Sequence, residues 1–337
     1  MSFWIRTIRC KTKTTMGMFT FRPFPPSFRL KNLAEITSRA FPLKVNPNGS
    51  QVHETMRDWF MKFNVYDAAR TLAYIDRGRF DVFAALSFPD ADIHHLETCL
   101  AFFYWAFATD DLSDEDNLQA KPEDVEAGIE KSRQAFTELT SSDHPYAMML
   151  NELPCAFEAF GSSEVKQSLR RSENKMLSVS EFIITRRDTI GAPLVEAMIE
   201  YSLDLKIPDY VFDDPIVIAM SQATTDIMTW PNKEQADGDF QNLVCCIMVE
   251  YQVELQEAID ILVDMVRSRV DEYVNLEAQL PSFGHEVDQE LSKYHTALEH
   301  FVQGTVVWYY LSPRYFASEE FIEYESTVVE LKPQSEL

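Results

Sequence analysis

The chain has 337 residues, and its 30 lysines and arginines against 54 aspartates and glutamates give a formal net charge of −24. Hydrophobic residues make up 46% of the sequence, so the chain can bury a sizeable core. The net acidity disfavours a broad nucleic-acid surface or an anionic membrane face, because both bind through lysine and arginine. An anionic ligand must therefore be held locally, by a few placed cations or by metal ions that acidic side chains recruit.

The first 30 residues are the only basic stretch, with six lysines and arginines and no acid. We expect residues 1–44 to form a disordered, proline-containing extension, and residues 326–337 to form a flexible tail. Two alternatives stay open for the N-terminus: a mitochondrial transit peptide, and a natural start at Met16 or Met18. No apolar run is long enough for a signal peptide or a membrane span.

From residue 51 onward, apolar residues recur at helical spacing, and proline or glycine interrupts the pattern. The segments lie near 51–62, 65–76, 94–109, 122–139, 163–185, 194–203, 212–229, 240–277 and 284–306. Glycine is scarce, with nine in the chain, and no fixed-period repeat indicates a solenoid. These patterns predict an all-α fold, a single helical bundle over residues 45–325. The five cysteines show no CxxC pairing, which favours a reducing, cytoplasmic setting.

A strongly aromatic stretch runs directly into a cluster of acids in the segment HHLETCLAFFYWAFATDDLSDED. Negative charge at a helix C-terminus opposes the helix dipole, and Asp110 and Asp114, four residues apart, repel each other on one face. A bound cation reverses both penalties, and oxygen ligands facing a cavity suit Mg²⁺. The alternative is a solvated acidic helix end above a packed aromatic core.

The acidic segment FATDDLSDED resembles the DDxxD motif of class I terpene synthases, in the form found in fungal sesquiterpene synthases. Two further elements resemble that family and occur in its order. The diphosphate-sensing motif RRxTxG is matched by residues 186–191, with Arg186 lying 46 residues before Asn232. The family's Arg-Tyr pair is matched by Arg314 and Tyr315 after an aromatic helix. Taken alone, each of these pairs also has an ordinary structural interpretation, as a helix-end dipole interaction or a surface arginine beside a tyrosine.

The second metal motif of the family, NDxxSxxxE, is incomplete in this chain. Asn232 and Glu234 are only two residues apart, about 200° around a helix, so they cannot chelate one ion from one face. The flanking segments TDIMTWPN and KEQADGD resemble the start and the tail of a complete motif, with a gap of about six residues between them. An alternative pairs Asp226 with Glu234, eight residues apart, but Trp230 then takes the hydroxyl position and Pro231 disturbs the helix.

The resemblance spans roughly residues 45–316 and implies a helical bundle around an apolar cavity that binds three Mg²⁺ ions and an isoprenyl diphosphate, most simply farnesyl diphosphate. The implied metal ligands are Asp110, Asp114, Asn232 and Glu234. The implied diphosphate ligands are Arg186, Lys233, Arg314 and Tyr315. The aromatic faces that would stabilise a carbocation are Phe103, Phe107, Trp230 and Trp308. By the same resemblance, Thr189 would link the diphosphate sensor to Ile190, and the backbone carbonyl of Ile190 would assist ionisation of the substrate.

Two rival interpretations remain at this point. A chain-elongating prenyl diphosphate synthase needs a second DDxxD, which the segment 226–239 does not supply. A catalytically impaired relative, with the same fold and a broken second metal site, fits the short Asn–Glu spacing. We expect no nucleic-acid partner and no membrane span, and the sequence leaves open whether the protein is a monomer or a homodimer. The seven histidines show no zinc-like spacing and receive no role.

Overall fold

The computed structural model describes residues 25–114, 177–230, 242–315 and 325–330, which fold into helices and one pair of short strands. The strands are β1 (Ser27–Lys31) and β2 (Ser326–Glu330). The first helices are α1 (Leu33–Thr37), α2 (Gly49–Met61), α3 (Ala68–Gly78), α4 (Phe80–Ser87) and α5 (Ile93–Asp114). The later helices are α6 (Val179–Thr189), α7 (Ala192–Ser202), α8 (Asp209–Phe212), α9 (Pro215–Met228), α10 (Leu243–Tyr251), α11 (Leu255–Glu277) and α12 (His285–Leu311). The all-α prediction is confirmed, while the helix expected at 122–139 lies outside the described residues.

The two strands correct the expected boundaries of the folded part. β1 pairs with β2 in an antiparallel register that sets Ser27 opposite Glu330, so residues 27–31 and 326–330 are both built into the fold. Apolar burial explains the pairing, because Leu30 is 1% exposed and Val329 is 4% exposed. Residues 27–41 and 326–330 are therefore structured, although the sequence led us to expect an extension and a tail.

Helices α4 and α12 pack closely against each other in the centre of the core. Gly304 of α12 allows this approach, because a Cβ atom there would lie 2.8 Å from the backbone carbonyl carbon and oxygen of Leu86. The sequence did not predict α4, whose residues FDVFAALS are buried on nearly every side and carry no clear apolar stripe. Within the described ranges, no helix is both long enough and apolar enough to cross a bilayer.

The break between α6 and α7 follows from its sequence. Ser178 and Glu181 form a capping box at the start of α6. The helix ends at Ile190, whose N–H donates to the Arg186 carbonyl at 2.8 Å, and Gly191 then adopts a left-handed conformation with φ 79°. Pro193 lies in the first turn of α7, where its missing N–H costs nothing.

The segment 240–277 is two helices rather than the single helix predicted. Gln252 ends α10 in a left-handed conformation, with φ 58°, and its N–H donates to the Met248 carbonyl. Glu254 then begins α11 from an extended conformation. The apolar spacing continues across this break because both helices face the same core, which is why the sequence pattern does not reveal it.

Candidate active site

The acidic end of α5 and the segment after α12 meet through a buried ion pair. Arg314 donates from Nη1 to Asp111 Oδ2 at 2.9 Å and from Nη2 to Asp111 Oδ1 at 2.7 Å, which is the bidentate geometry of a strong arginine–carboxylate pair. The side chains are 10% and 24% exposed. Two elements about 200 residues apart in sequence are thereby joined at one point, and both belong to motifs found in the sequence.

Electrostatics keep Arg314 charged in this position. Burial opposes its charge, but attraction and hydrogen bonding by Asp111 outweigh that cost and raise the pKa of Arg314 above its ordinary value. Its guanidinium carbon also lies 5.2 Å from the ring centre of Phe107 and 5.7 Å from that of Phe80. The arginine is therefore held between a carboxylate and two aromatic faces.

The turn that carries Arg314 is anchored on the end of α3. Ser312 Oγ donates to the carbonyl oxygens of Arg77 and Gly78 and accepts from the Arg314 N–H at 3.2 Å. Trp308 Nε1 also donates to the Gly78 carbonyl, at 2.8 Å. Position 78 must be glycine, because a Cβ atom there would lie 2.1 Å from the ring of Phe80. These bonds fix the C-terminal end of α12 before the Arg-Tyr pair begins.

Five stacked aromatic rings, which we call the aromatic wall, lie next to Arg314: Phe80, Phe83, Phe103, Phe107 and Trp308. Phe83 of α4 stacks on Phe103 and on Trp308, both at 4.2 Å between ring centres and nearly parallel. Phe107 stacks on Phe80 at 4.7 Å. Phe103 and Trp308 are 3% and 1% exposed and pack as core residues, whereas Phe107 keeps part of its surface exposed. A contact of these three rings with substrate stays a prediction.

Tyr309 of α12 connects Tyr315 to the end of α9. Tyr315 makes edge contacts with Trp308 at 5.4 Å and with Tyr309 at 4.7 Å. Burial, followed by the nearby Tyr315, raises the pKa of Tyr309, and the positive charge of Arg186 acts in the opposite direction. The Tyr309 hydroxyl donates to the Met228 carbonyl at 2.9 Å, near the end of α9. The Arg-Tyr pair and the C-terminal end of α9 are therefore joined through Tyr309.

Several predicted site residues are described only in part. Asp110 and Asp114 lie in the last turns of α5, and Thr189 lies at the end of α6, but their side chains are outside the description. Asn232, Lys233 and Glu234 lie outside the described residues altogether. In the ranges that are described, no group of three or more histidine, cysteine, aspartate or glutamate side chains could hold a metal ion. The donors that the sequence offers at the end of α5 are oxygen atoms only, which fits Mg²⁺.

Three residues of this site were not predicted from the sequence. Asp111 was within the acidic segment but received no role, and the signal for it is its place beside Asp110 in the DDxxD-like motif. Phe80 and Phe83 are in the unpredicted helix α4, where two phenylalanines three residues apart are a weak signal for one helix face. Their partners are distant in sequence, so only the fold brings them together.

Asp226 is not available as the alternative metal ligand considered from the sequence. Its side chain is 4% exposed and accepts from Arg187 Nε at 2.8 Å and Arg187 Nη2 at 2.7 Å. Arg269 Nε lies 2.9 Å from Asp226 Oδ2. Two guanidinium groups therefore occupy the carboxylate, which argues against its pairing with Glu234 around an ion.

Comparison with known proteins gives the family. The family model described as "Terpene synthase family 2, C-terminal metal binding" matches residues 101–272, which is just over half of the chain. The chain is 28% identical over 317 residues to Sesquiterpene synthase Agr1 of Cyclocybe aegerita, covering 88% of this chain and 91% of that one. It is 26% identical over 318 residues to Sesquiterpene synthase 6 of Postia placenta, covering 87% and 93%.

A solved structure gives the same fold. The crystal structure of germacradien-4-ol synthase from Streptomyces citricolor superposes with a TM-score of 0.68 at 18% identity, covering 80% of this chain and 95% of that one. The chain therefore belongs to the terpene synthase family and has the all-α class I fold. The resemblance noted from the sequence motifs is confirmed, and the protein is a fungal-type terpene synthase.

Proposed function

We propose that this protein catalyses the Mg²⁺-dependent ionisation and cyclisation of an isoprenyl diphosphate, most simply farnesyl diphosphate, to a sesquiterpene, with release of diphosphate. The observation that carries the proposal is the Asp111–Arg314 pair, which joins the aspartate-rich motif to the Arg-Tyr pair above an aromatic wall. Both full-length relatives described above are named sesquiterpene synthases, which supports the choice of a C15 substrate.

The charged residues divide into metal ligands and diphosphate ligands in this proposal. Asp110 and Asp114 would hold Mg²⁺ on one side, and Asn232 and Glu234, which remain from the incomplete second metal motif, would each supply a ligand on the other side. When bound, these ions supply positive charge that stabilises the leaving diphosphate. The basic and hydroxyl groups that would grip the diphosphate oxygens are Arg186, Lys233, Arg314 and Tyr315. The allylic C–O bond then breaks, and its electron pair leaves with the diphosphate oxygen.

The apolar part of the site would protect and guide the carbocation that remains. Water must be excluded until the cation has cyclised and lost a proton, since early attack would give a linear alcohol. Phe107 is the aromatic side chain best placed for cation–π stabilisation, because it is half-buried beside Arg314. Thr189 would link the sensor arginine to Ile190 at the helix break, and the backbone carbonyl of Ile190 would assist ionisation.

Product analysis tests the proposal directly. The purified protein would be incubated with farnesyl diphosphate and Mg²⁺, and volatile products in the headspace would be identified by mass spectrometry. We expect cyclic sesquiterpenes from the wild type, a loss of at least about 100-fold in kcat/KM in Arg314→Gln, and little change in Arg267→Gln, an exposed control on α11. A longer prenyl diphosphate, formed when isopentenyl diphosphate is added, would instead identify a chain-elongating enzyme.

The short spacing between Asn232 and Glu234 favours a second candidate, a catalytically impaired terpene synthase. If the transcript across Asn232–Lys233 agrees with this sequence, we expect severely reduced turnover. Inserting six residues there, with the Asp-x-x-Ser element restored, should then raise turnover without altering the melting temperature. Equal turnover before and after the insertion would show that the missing residues are not needed.

A further inference from the structure

The last turn of α6 carries two consecutive arginines whose surroundings differ. Arg187 uses all three guanidinium nitrogens within the protein: Nε and Nη2 donate to Asp226, and Nη1 donates to Gln222 Oε1 at 3.0 Å. Hydrogen bonding by Asp226 is the largest cause of the raised pKa of Arg187. This arginine is therefore charged, and all three of its guanidinium nitrogens are hydrogen-bonded to α9.

A third helix joins the same carboxylate. Arg269 of α11 contacts Asp226 through Nε and also contacts Glu272, one turn further along its own helix. We call Arg187, Gln222, Asp226, Arg269 and Glu272 the Asp226 cluster. Its two guanidinium groups and two carboxylates balance in charge, which makes burial of Asp226 tolerable. The cluster thereby ties α6, α9 and α11 together next to the helix break at Gly191.

Arg186 faces a different direction because consecutive helical residues are about 100° apart. The positive charge of Arg186 opposes the rise in the pKa of Tyr309, whose ring makes an edge contact with Tyr315. While Asp226 and Gln222 of α9 hold Arg187, and Arg269 of α11 holds Asp226, the rotation of the last α6 turn is fixed. The direction of Arg186 is fixed with it. Loss of the Arg187 contacts would free this turn to rotate.

We propose that the Asp226 cluster is a positioning device that fixes the rotation of the last turn of α6 and so holds Arg186 in the orientation that binds diphosphate. Arg187, Asp226 and Arg269 are positioning residues that act through Arg186 and do not touch the substrate. The inference rests on the proposed function for Arg186 as a diphosphate ligand.

Binding of inorganic pyrophosphate in the presence of Mg²⁺, measured by isothermal titration calorimetry, tests the inference. Arg187→Lys keeps the charge but loses the bidentate fork, and we expect its pyrophosphate Kd to rise about tenfold, equivalent to ~1.4 kcal/mol. A purely structural role would reduce the number of folded sites, and hence the stoichiometry, and would leave the Kd of each site unchanged. Arg267→Lys on α11, where the partly exposed arginine pairs with Asp264 of the same helix, is the matched control and should bind like the wild type.

A double-mutant cycle identifies the route of the effect. If Arg187 acts through Arg186, Arg187→Lys will weaken pyrophosphate binding no further in an Arg186→Ala background. Additive weakening would overturn the inference, as would an unchanged Kd in the single variant. Should Arg187→Lys not fold, Arg269→Lys leaves both bonds between Arg187 and Asp226 in place, and we expect a Kd increase of about threefold. An unchanged Kd in that variant would overturn the inference equally.

The same measurements separate this inference from the proposed function. Wild-type turnover of farnesyl diphosphate tests the proposed function, while the pyrophosphate affinities of the variants test the Asp226 cluster. A wild type that binds pyrophosphate without turnover contradicts the proposed function alone. A wild type that binds no pyrophosphate overturns the inference, because no diphosphate site is then present for the cluster to organise.

Discussion

Asp111 and Arg314 depend on each other more than a surface ion pair does, because the arginine side chain is only 10% exposed. Asp111→Asn removes the charge that offsets the burial of Arg314, and we expect the free energy of unfolding to fall by about 3 kcal/mol. Urea denaturation of both proteins would measure this change in the free energy of unfolding. Asp271→Asn is the control, since Asp271 and Arg39 form an ion pair with side chains 55% and 60% exposed, and its removal should cost less than about 1 kcal/mol.

Glu299 should give stability a measurable pH dependence. Burial, followed by the charge of Glu277, raises the pKa of Glu299 from 4.5 to about 7, although the Tyr273 hydroxyl donates to it at 3.1 Å. The folded state therefore holds this proton more tightly than the unfolded state. The resulting gain in the free energy of unfolding is fully present below pH 4.5 and is lost as the pH rises through 7. We expect Glu299→Gln to reduce the loss of stability between pH 4.5 and 7 and to be more stable than the wild type at pH 8.

Thermal melts across pH 4 to 8 would check this prediction. Glu257→Gln, at an exposed position of α11, is the control and should retain the wild-type pH profile. Partial burial also raises the pKa values of Glu196 and Glu200, so part of the slope will remain in Glu299→Gln. His295 has the opposite effect on stability. Burial lowers its pKa from 6.5 to about 4, so the unfolded state gains a proton first and the free energy of unfolding falls as the pH falls below 6.5. A slope identical to that of the wild type would contradict the role of Glu299.

At the scale of elements, the close crossing of α4 and α12 depends on Gly304. Alanine normally favours a helix over glycine by about 1 kcal/mol, yet its Cβ would press on the Leu86 backbone, which cannot move as a side chain can. We expect Gly304→Ala to lower the free energy of unfolding by about 1–3 kcal/mol. Ser292→Ala, at an exposed position of the same helix, should change it by less than about 0.5 kcal/mol. A stabilised Gly304→Ala would show that the two helices can separate without cost.

The β1–β2 pair offers a test with two residues on opposite faces. Leu30 is buried in the core, whereas Val328 of the facing strand is 52% exposed. Leu30→Ala should therefore lower the free energy of unfolding by about 2–4 kcal/mol, and Val328→Ala by less than about 1 kcal/mol. Chemical denaturation of both variants provides the measurement, and equal small effects would mean that the strand pair adds nothing to the core.

The sequence predicts the half-buried helices better than the fully buried ones, and the motifs of the site better than the contacts between them. The amphipathic stripes gave α2, α9 and α12, because half-buried helices repeat their apolar residues at helical spacing. Helix α4 was missed because it is buried on nearly all sides, and the break at Gln252 was missed because both flanking helices face one core. The sequence suggested the acidic and Arg-Tyr motifs, but the partner of Arg314 could not be deduced, since Asp110, Asp111 and Asp114 all lie near the same helix end.

At the scale of the whole molecule, the site is assembled from elements that are far apart along the chain. In the proposed site, the end of α5, the end of α6 and the turn after α12 would each contribute groups, so we expect the site to exist only when the bundle is closed. The expected effect of Arg187 on Arg186 likewise depends on distant parts of the chain, because the Asp226 cluster joins three helices that are not consecutive in the sequence. Variants that loosen the bundle anywhere between α6 and α11 should weaken diphosphate binding before they unfold the protein.

The antiparallel pairing of β1 with β2 also brings the first and last described segments of the chain side by side. Ser27 lies opposite Glu330, and paired residues of neighbouring strands are only about 5 Å apart. An Asn-Gly turn joining Glu330 to Ser27 would convert the pair into a hairpin, and the chain could then be reopened at 281–284, before α12. Such a circular permutant should melt within a few degrees of the original protein, which would show that the bundle does not depend on where its backbone starts.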